Sequence, residues 1–253
     1  MSSSSGLRAT GIEPTLSPLA LQVALQQSGS YPPEFFLTPP SVIVNQGSVL
    51  PCCVSCAIAT CVEVLNPGWE QLAPLYHFHM FDTMQGSPSS FVDMTLDEGL
   101  NLLASAGICL YRYYNSAYTP DGARTEPSPE ATTDALTRTV PYDNNREVAG
   151  FSLLSDDDRI TAWKNCLVGG RPILIGLYLT DQYRPTMTKL QGNLLPDQPH
   201  AVAVLGYRES ESSFLVQDSR GPAFGIGGQW WLPYDVVESS VIEQAYAVGY
   251  PPV

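Results

Sequence analysis

Apolar positions along this chain change their period near its middle. Up to about residue 106 they recur at helical spacing, and beyond about residue 170 they fall into short strand-like runs. Leu16 to Gln27 is weakly helical, and Val42 to Val44 predicts a short strand feeding a Gln46-Gly47 turn. From Cys53 to Leu65 the small residues Ser55, Ala57, Ala59 and Thr60 alternate with Ile58, Val62 and Leu65, with no polar face before Glu63. Such a pattern predicts a helix buried nearly all round, and Asn66-Pro67-Gly68 ends it. Trp69 to Phe81 suits a second helix. Thr95 to Ala106 suits a third, with Leu96, Leu100 and Leu103 in phase and Gly107 as the stop.

Asn115 to Asn145 is rich in Pro, Thr, Asp and Asn and reads as loop, the expected crossing between two halves. Asp156 to Leu167 predicts one more helix, stopped at Gly169-Gly170. Ile173 to Leu179, Ala201 to Gly206, Phe214 to Gln217 and Trp230 to Pro233 then read as strands. The class is α+β. Residues 1–38 form a polar lead-in, followed by a helical lobe at about 45–125, a β-rich lobe at about 126–253, and a cleft between the lobes.

Composition narrows the partners. A chain of 253 residues, 44% hydrophobic, can bury a full core. No run approaches the roughly 18 apolar residues of a membrane span. The net charge is −13, and Lys164 and Lys189 are the only lysines, so nucleic acid and anionic membrane are not expected as partners. The Ser-, Pro- and Gln-rich N-terminus has no basic start followed by an apolar core, so no secretory signal is read. Four of the six cysteines crowd at Cys52, Cys53, Cys56 and Cys61, three of them on one helix where bridging is disfavoured. Unpaired cysteines suit a reducing cytoplasm. Their spacing has no downstream Cys/His companion, which argues against zinc.

Two segments about 150 residues apart carry candidate chemistry. Asn45 to Leu65 (NQGSVLPCCVSCAIATCVEVL) puts a cysteine at the mouth of a helix; Pro199 to Gly225 (PHAVAVLGYRESESSFLVQDSRGPAFG) puts His200 on one strand and Asp218 on the next. A thiol at a helix N-terminus, a distant His and a group to orient that His are the parts of a cysteine nucleophile site. Their order resembles the papain-like cysteine peptidases (peptidase family C1), especially the compact bacterial members. The resemblance runs from about Pro40 to Tyr234. It implies a two-lobe fold in which a helical lobe, built on the central Cys helix, packs against a β-barrel-like antiparallel lobe.

The family pattern has a Gln-Gly turn six residues before the nucleophile, and from Gln46 that count lands on Cys52. The family helix carries a small or aromatic residue three after the nucleophile, a small one four after and often Glu ten after. Cys53 meets this with Cys56, Ala57 and Glu63, whereas Cys52 would put Val62 at the last place. A loop accepts one inserted residue more easily than a buried helix accepts rotation, so Cys53 is the expected nucleophile, with Cys52 beside it. The resemblance gives Gln46 and the Cys53 backbone N–H the oxyanion hole.

The family's His is followed by small or branched residues and Gly-Tyr, here Gly206-Tyr207. Its later Asn-Ser-Trp-Gly reads Asp218-Ser219-Arg220-Gly221. Asp218 in place of Asn still accepts from the imidazole and adds a negative charge that favours imidazolium, so an Asn at 218 is expected to serve nearly as well. Arg220 stands where a Trp normally shields the His–Asn bond from water. His77 and His79 read as surface or packing residues rather than ligands. The resemblance implies a cysteine hydrolase that cleaves a peptide or amide bond through a thioester and needs no cofactor. An acyltransferase or cyclase acting on an acyl substrate with the same Cys/His/Asp set, and a degenerate binding module, remain open.

Overall fold

The computed structural model describes residues 31–86, 90–147, 156–237 and 242–249. Its central element is a long strand, β4 (Leu194–Arg208). On one side β4 pairs with β3 (Ile173–Thr180), and past the end of that pairing with β1 (Glu34–Phe36). On the other it pairs with β5 (Ser213–Gln217), and β6 (Gln229–Pro233) follows. Beyond β3 lie β7 (Ile242–Ala247) and β2 (Arg146–Glu147). Each of these pairings is antiparallel, and the order β2-β7-β3-β4-β5-β6 has two ends. Among the described residues the lobe is an open sheet rather than the barrel-like closure expected.

Alternation along the strands sends side chains to two separate cores. Ala201, Ala203 and Leu205 of β4, with Leu174 and Tyr246, join the helices on one face. Val202, Val204 and Tyr207, with Ile173, Ile175, Phe214 and Val216, join Trp163, Cys166 and Leu167 of a single helix on the other. That helix is predicted at 156–167 and runs Asp156–Val168. The fold therefore has three layers, with β4 as the wall common to both cores.

α1 spans Cys53–Leu65, the bounds its sequence predicts, and closes at Asn66. α2 is Pro74–Met84 rather than Trp69 to Phe81. A proline fits the first helical position, where no N–H is needed, and would break a helix begun five residues earlier. α3 is Leu96–Ala106, opened by a capping box in which the Thr95 side chain accepts from Glu98 N–H and Glu98 accepts from Thr95 N–H. Its glycine faces α1: a Cβ on Gly99 would lie 2.7 Å from both Ile58 Cδ1 and Val54 Cγ1. Gly107 ends α3 at φ +67, where a Cβ would strike the Ala135 carbonyl.

The stretch expected as loop, 115–145, holds two short helices, α4 (Pro120–Ala123) and α5 (Pro129–Leu136). Each starts with a Thr or Ser cap followed by Pro, a start signal that the polar composition of the segment masked. The remaining helices, α6 (Asp156–Val168) and α7 (Tyr234–Val237), lie in the second half. Val42 to Val44 is not a strand. Only an isolated bridge, Asn45 with Arg220, forms there, because the facing segment is itself a turn. Leu16 to Gln27 lies outside the described residues. No helix of the described residues is long and apolar enough to cross a membrane.

Candidate active site

Cys53 is the first residue of α1 and Cys52 its cap. The first N–H groups of a helix have no partner within it, and they place partial positive charge beside this thiol. Cys53 Sγ accepts a hydrogen bond from the N–H of Ala201 at 3.4 Å, so the mouth of α1 touches β4 one residue past His200. Cys52 Sγ instead lies 4.0 Å from Cys56 Sγ, on the helical side.

His200 is fully buried. Its Nε2 lies 3.2 Å from both Asp218 Oδ1 and Tyr183 Oη, and its Nδ1 has no hydrogen-bond partner. A carboxylate only accepts, so Nε2 carries a proton in this contact, and Nδ1 is the nitrogen left without a partner. Asp218 is buried as well and receives two further bonds on Oδ2, from Tyr183 Oη–H at 2.8 Å and Trp230 Nε1–H at 2.8 Å. Burial works to raise its pKa, but the charge and hydrogen bond of His200, together with Trp230 and Tyr183, outweigh it and hold the carboxyl below the ordinary carboxylate value.

Gln46 is buried in the turn before α1. Its backbone N–H donates to Ser219 O at 2.8 Å, and its Oε1 accepts from Ser219 Oγ. Gly221 N–H donates to Val44 O at 2.9 Å, and Arg220 Nη1 donates to Gly47 O. A short backbone ladder therefore holds the Gln46 turn to the residues following Asp218. The connections form a circuit: Gln46 to Ser219, the neighbouring Asp218 to His200, and the neighbouring Ala201 to Cys53.

Burial pushes the Cys53 thiol well above its ordinary value; the Ala201 N–H and, further off, Arg220 act against it. Arg220 therefore contributes charge and a loop contact. The aromatic cover of the imidazole comes from elsewhere, since the Tyr183 ring meets His200 edge to face at 5.7 Å and lies 4.8 Å from Phe224. Tyr183, Trp230 and Ser219 were not singled out from the sequence. Ser219 sits inside the Asp-Ser-Arg-Gly run, where the motif could have marked it; the other two reach Asp218 from separate loops and strands, which no local pattern reveals.

His77 and His79 are buried packing residues of α2. Ser55 Oγ lies 2.9 Å from His77 Nδ1, and His77 Nε2 lies 3.1 Å from the Gly99 carbonyl. The six cysteines are free thiols, and among the described residues no His/Cys/Asp/Glu cluster is placed to hold a metal.

No protein-family model matches the chain. Among curated proteins it is 27% identical over 150 residues to an uncharacterized peptidase C1-like protein of Acanthamoeba polyphaga mimivirus, over 55% of this chain and 46% of that one. The match thus spans under half of that relative's length. Among solved structures, xylellain, a cysteine protease from Xylella fastidiosa, superposes with TM-score 0.79 at 17% identity, over 99% of this chain and 97% of that chain. The ragweed pollen cysteine protease Amb a 11 in its proform gives TM-score 0.65 at 14% identity, over 89% and 67%. Digestive procathepsin L 3 of Tenebrio molitor gives 0.63 at 14%, over 98% and 77%. The chain has the papain-like fold.

Proposed function

We propose that this protein is a papain-type cysteine hydrolase that cleaves peptide or amide bonds through a thioester acyl-enzyme. The observation that carries the reading is the circuit around Cys53, with a helix-mouth thiol held against β4 next to a histidine whose Nε2 is engaged and whose Nδ1 is open. Cys53 is the nucleophile in this reading because its sulfur meets β4, whereas that of Cys52 meets Cys56.

The steps follow from these groups. Nδ1 of His200 takes the Cys53 proton, and the imidazolium so formed is stabilised by Asp218 through Nε2–H. The thiolate adds to the carbonyl carbon, and the oxygen takes up charge facing the Gln46 amide N–H and the Cys53 backbone N–H. Imidazolium Nδ1–H then protonates the leaving nitrogen as the C–N bond breaks, giving thioester and free amine. Water, deprotonated by Nδ1, attacks the thioester, and the acid and thiol are released. Burial favours the neutral Cys53 thiol at rest, so the thiolate forms against the cost of desolvation and is supported by the helix mouth and the Ala201 N–H.

The same reading takes the cleft between a helical lobe at about 45–125 and a β-rich lobe at about 126–253 as the substrate groove. It also places the protein in the cytoplasm, which six unbridged cysteines support. The test is a panel of short fluorogenic peptide amides, with the acyl-enzyme followed by mass. Turnover lost in Cys53→Ala and kept in Cys52→Ala, with a single adduct on Cys53, is the expected result. An adduct on Cys52 would move the nucleophile. Acylated amine acceptors in place of free acid would make the protein an acyltransferase. No adduct with any activated electrophile would end both enzyme readings.

A further inference from the structure

Every polar group that meets the Asp218 carboxylate side chain is a donor. Oδ1 faces His200 Nε2, and Oδ2 takes Tyr183 Oη–H and Trp230 Nε1–H. The indole nitrogen can only donate, and it is buried. We propose that Trp230 is a positioning residue that makes a carboxylate at 218 obligatory, so that the Asn of the family pattern would reverse the imidazole tautomer. The proposal rests on the assignment of His200 and Asp218 to the site, and it deepens that assignment.

An amide at 218 has one accepting and one donating end, and it can turn either way. With its oxygen toward His200, its NH2 confronts Trp230 Nε1–H, two donors in a site closed to water, a costly arrangement. With its oxygen toward Trp230 and Tyr183, its NH2 meets Nε2, and that pair is satisfied only if Nε2 gives up its hydrogen and accepts from the amide; a retained Nε2–H could turn to Tyr183 Oη, 3.2 Å away, but would leave the NH2 unmet. The proton then sits on Nδ1, the nitrogen that has to receive the Cys53 proton. Tyr183 cannot decide between these states, because its hydroxyl can rotate to donate or to accept. Trp230 can. The sequence-based expectation that Asn would serve at 218 is therefore reversed by a residue twelve positions further on.

The experiment uses the full chain labelled with ¹⁵N-histidine, where only three histidines report, and reads the His200 tautomer by long-range ¹H–¹⁵N correlation at neutral pH. In parallel, the rate of Cys53 alkylation by iodoacetamide is measured, which needs no substrate. Wild type should show Nε2–H. Asp218→Asn should show Nδ1–H and alkylate about tenfold or more slowly, the scale of an unmet buried donor. In a Trp230→Phe background the same substitution should keep Nε2–H and change the rate less than about threefold relative to that background, the mark of direct coupling. In a Tyr183→Phe background it should remain as damaging as in wild type.

Nε2–H retained in Asp218→Asn with Trp230 in place overturns the proposal, as does equal damage in the Trp230→Phe background. Should Trp230→Phe not fold, the tautomer of Asp218→Asn decides alone. Should Asp218→Asn not fold, recovery in the Trp230→Phe background supports the proposal and failure there overturns it. A wild type whose Cys53 resists alkylation while the tautomers behave as stated would count against the hydrolase, not against this donor set.

Discussion

The hydroxyl of Ser219 donates to Oε1 of Gln46, across 173 residues of chain. That bond fixes which end of the amide is oxygen, with a long 3.4 Å contact from Nε2 to Leu50 O as its other restraint. The residue after Asp218 thus also orients the Gln46 amide, the oxyanion donor in the proposed mechanism. Gln46→Ala is expected to lower kcat by about 10²–10³-fold with little change in KM, as for removal of one oxyanion donor. Ser219→Ala keeps the donor but frees the amide to rotate, and should cost on the order of tenfold in kcat. Steady-state kinetics on a cleaved peptide amide check both; a Ser219→Ala enzyme with wild-type kcat would show that the bond is not needed.

His77 should mark the acid limit of stability. Burial pushes its imidazole down to about 4 against the hydrogen bond to the Gly99 carbonyl, which favours protonation. The unfolded chain therefore binds the proton first, near pH 6.5, and the folded form takes it up only near 4, so stability falls as pH drops through that window. The full loss is on the order of 3 kcal/mol. His77→Gln, which retains a donor for Gly99 O, should gain stability relative to wild type as pH falls from 7 to 4.5, read as the difference between the two urea midpoints. An unchanged difference would mean that His77 does not titrate in this way.

Glu63 has the opposite sign. Burial raises its carboxyl to about 7, and its hydrogen bond from Leu72 N–H at 2.6 Å only partly offsets this. Folding is therefore favoured while Glu63 is protonated, and this contribution is lost as pH rises from about 4.5 through 7. The carboxylate lines a cavity walled by Pro39, Pro40, Pro67 and Trp69. Glu63→Gln should raise stability at pH 8 by on the order of 1–2 kcal/mol, allowing for solvent at the cavity mouth, and leave pH 4.5 nearly unchanged. Between pH 4.5 and 6.5 His77 and Glu63 offset each other, so each is seen only when the other is replaced. An unaltered Tm at pH 8 would refute the assignment.

Gly99→Ala tests the approach of α3 to α1. An alanine gains about 1 kcal/mol of helix propensity, but its Cβ would meet Ile58 and Val54 at 2.7 Å. Overpacking at such a contact costs about 1–3 kcal/mol, so a net loss of stability is expected, read as a lower urea midpoint. A more stable variant would show that the helices can slide apart freely.

What could be read from the chain follows how local its cause is. α1 was legible to the residue because small and apolar side chains alternate without a polar face, and α3 because its cap, its apolar phase and its stop are all in the sequence. β1 was not, since a three-residue strand owes its existence to pairing with Arg208, Tyr207 and Gly206. β7 was missed for the same reason, its partners being β2 and β3. At the site, the residues borne by motifs, Gln46, Cys53, His200 and Asp218, lie along one hydrogen-bonded circuit. Tyr183 and Trp230 were invisible because what matters about them is which atom they reach.

The common wall formed by β4 has a bearing on error. Its odd-numbered residues Ala201, Ala203 and Leu205 belong to one core and its even-numbered Val202 and Val204 to the other. A strand that slipped by a single residue would present its whole apolar set to the wrong side of both cores at once, while carrying His200 off Asp218. Misplacement of His200 cannot occur quietly. It is tied to a twofold mismatch of cores that collapse would reject, so proofreading of this strand's register falls to the apolar side chains of 201–205.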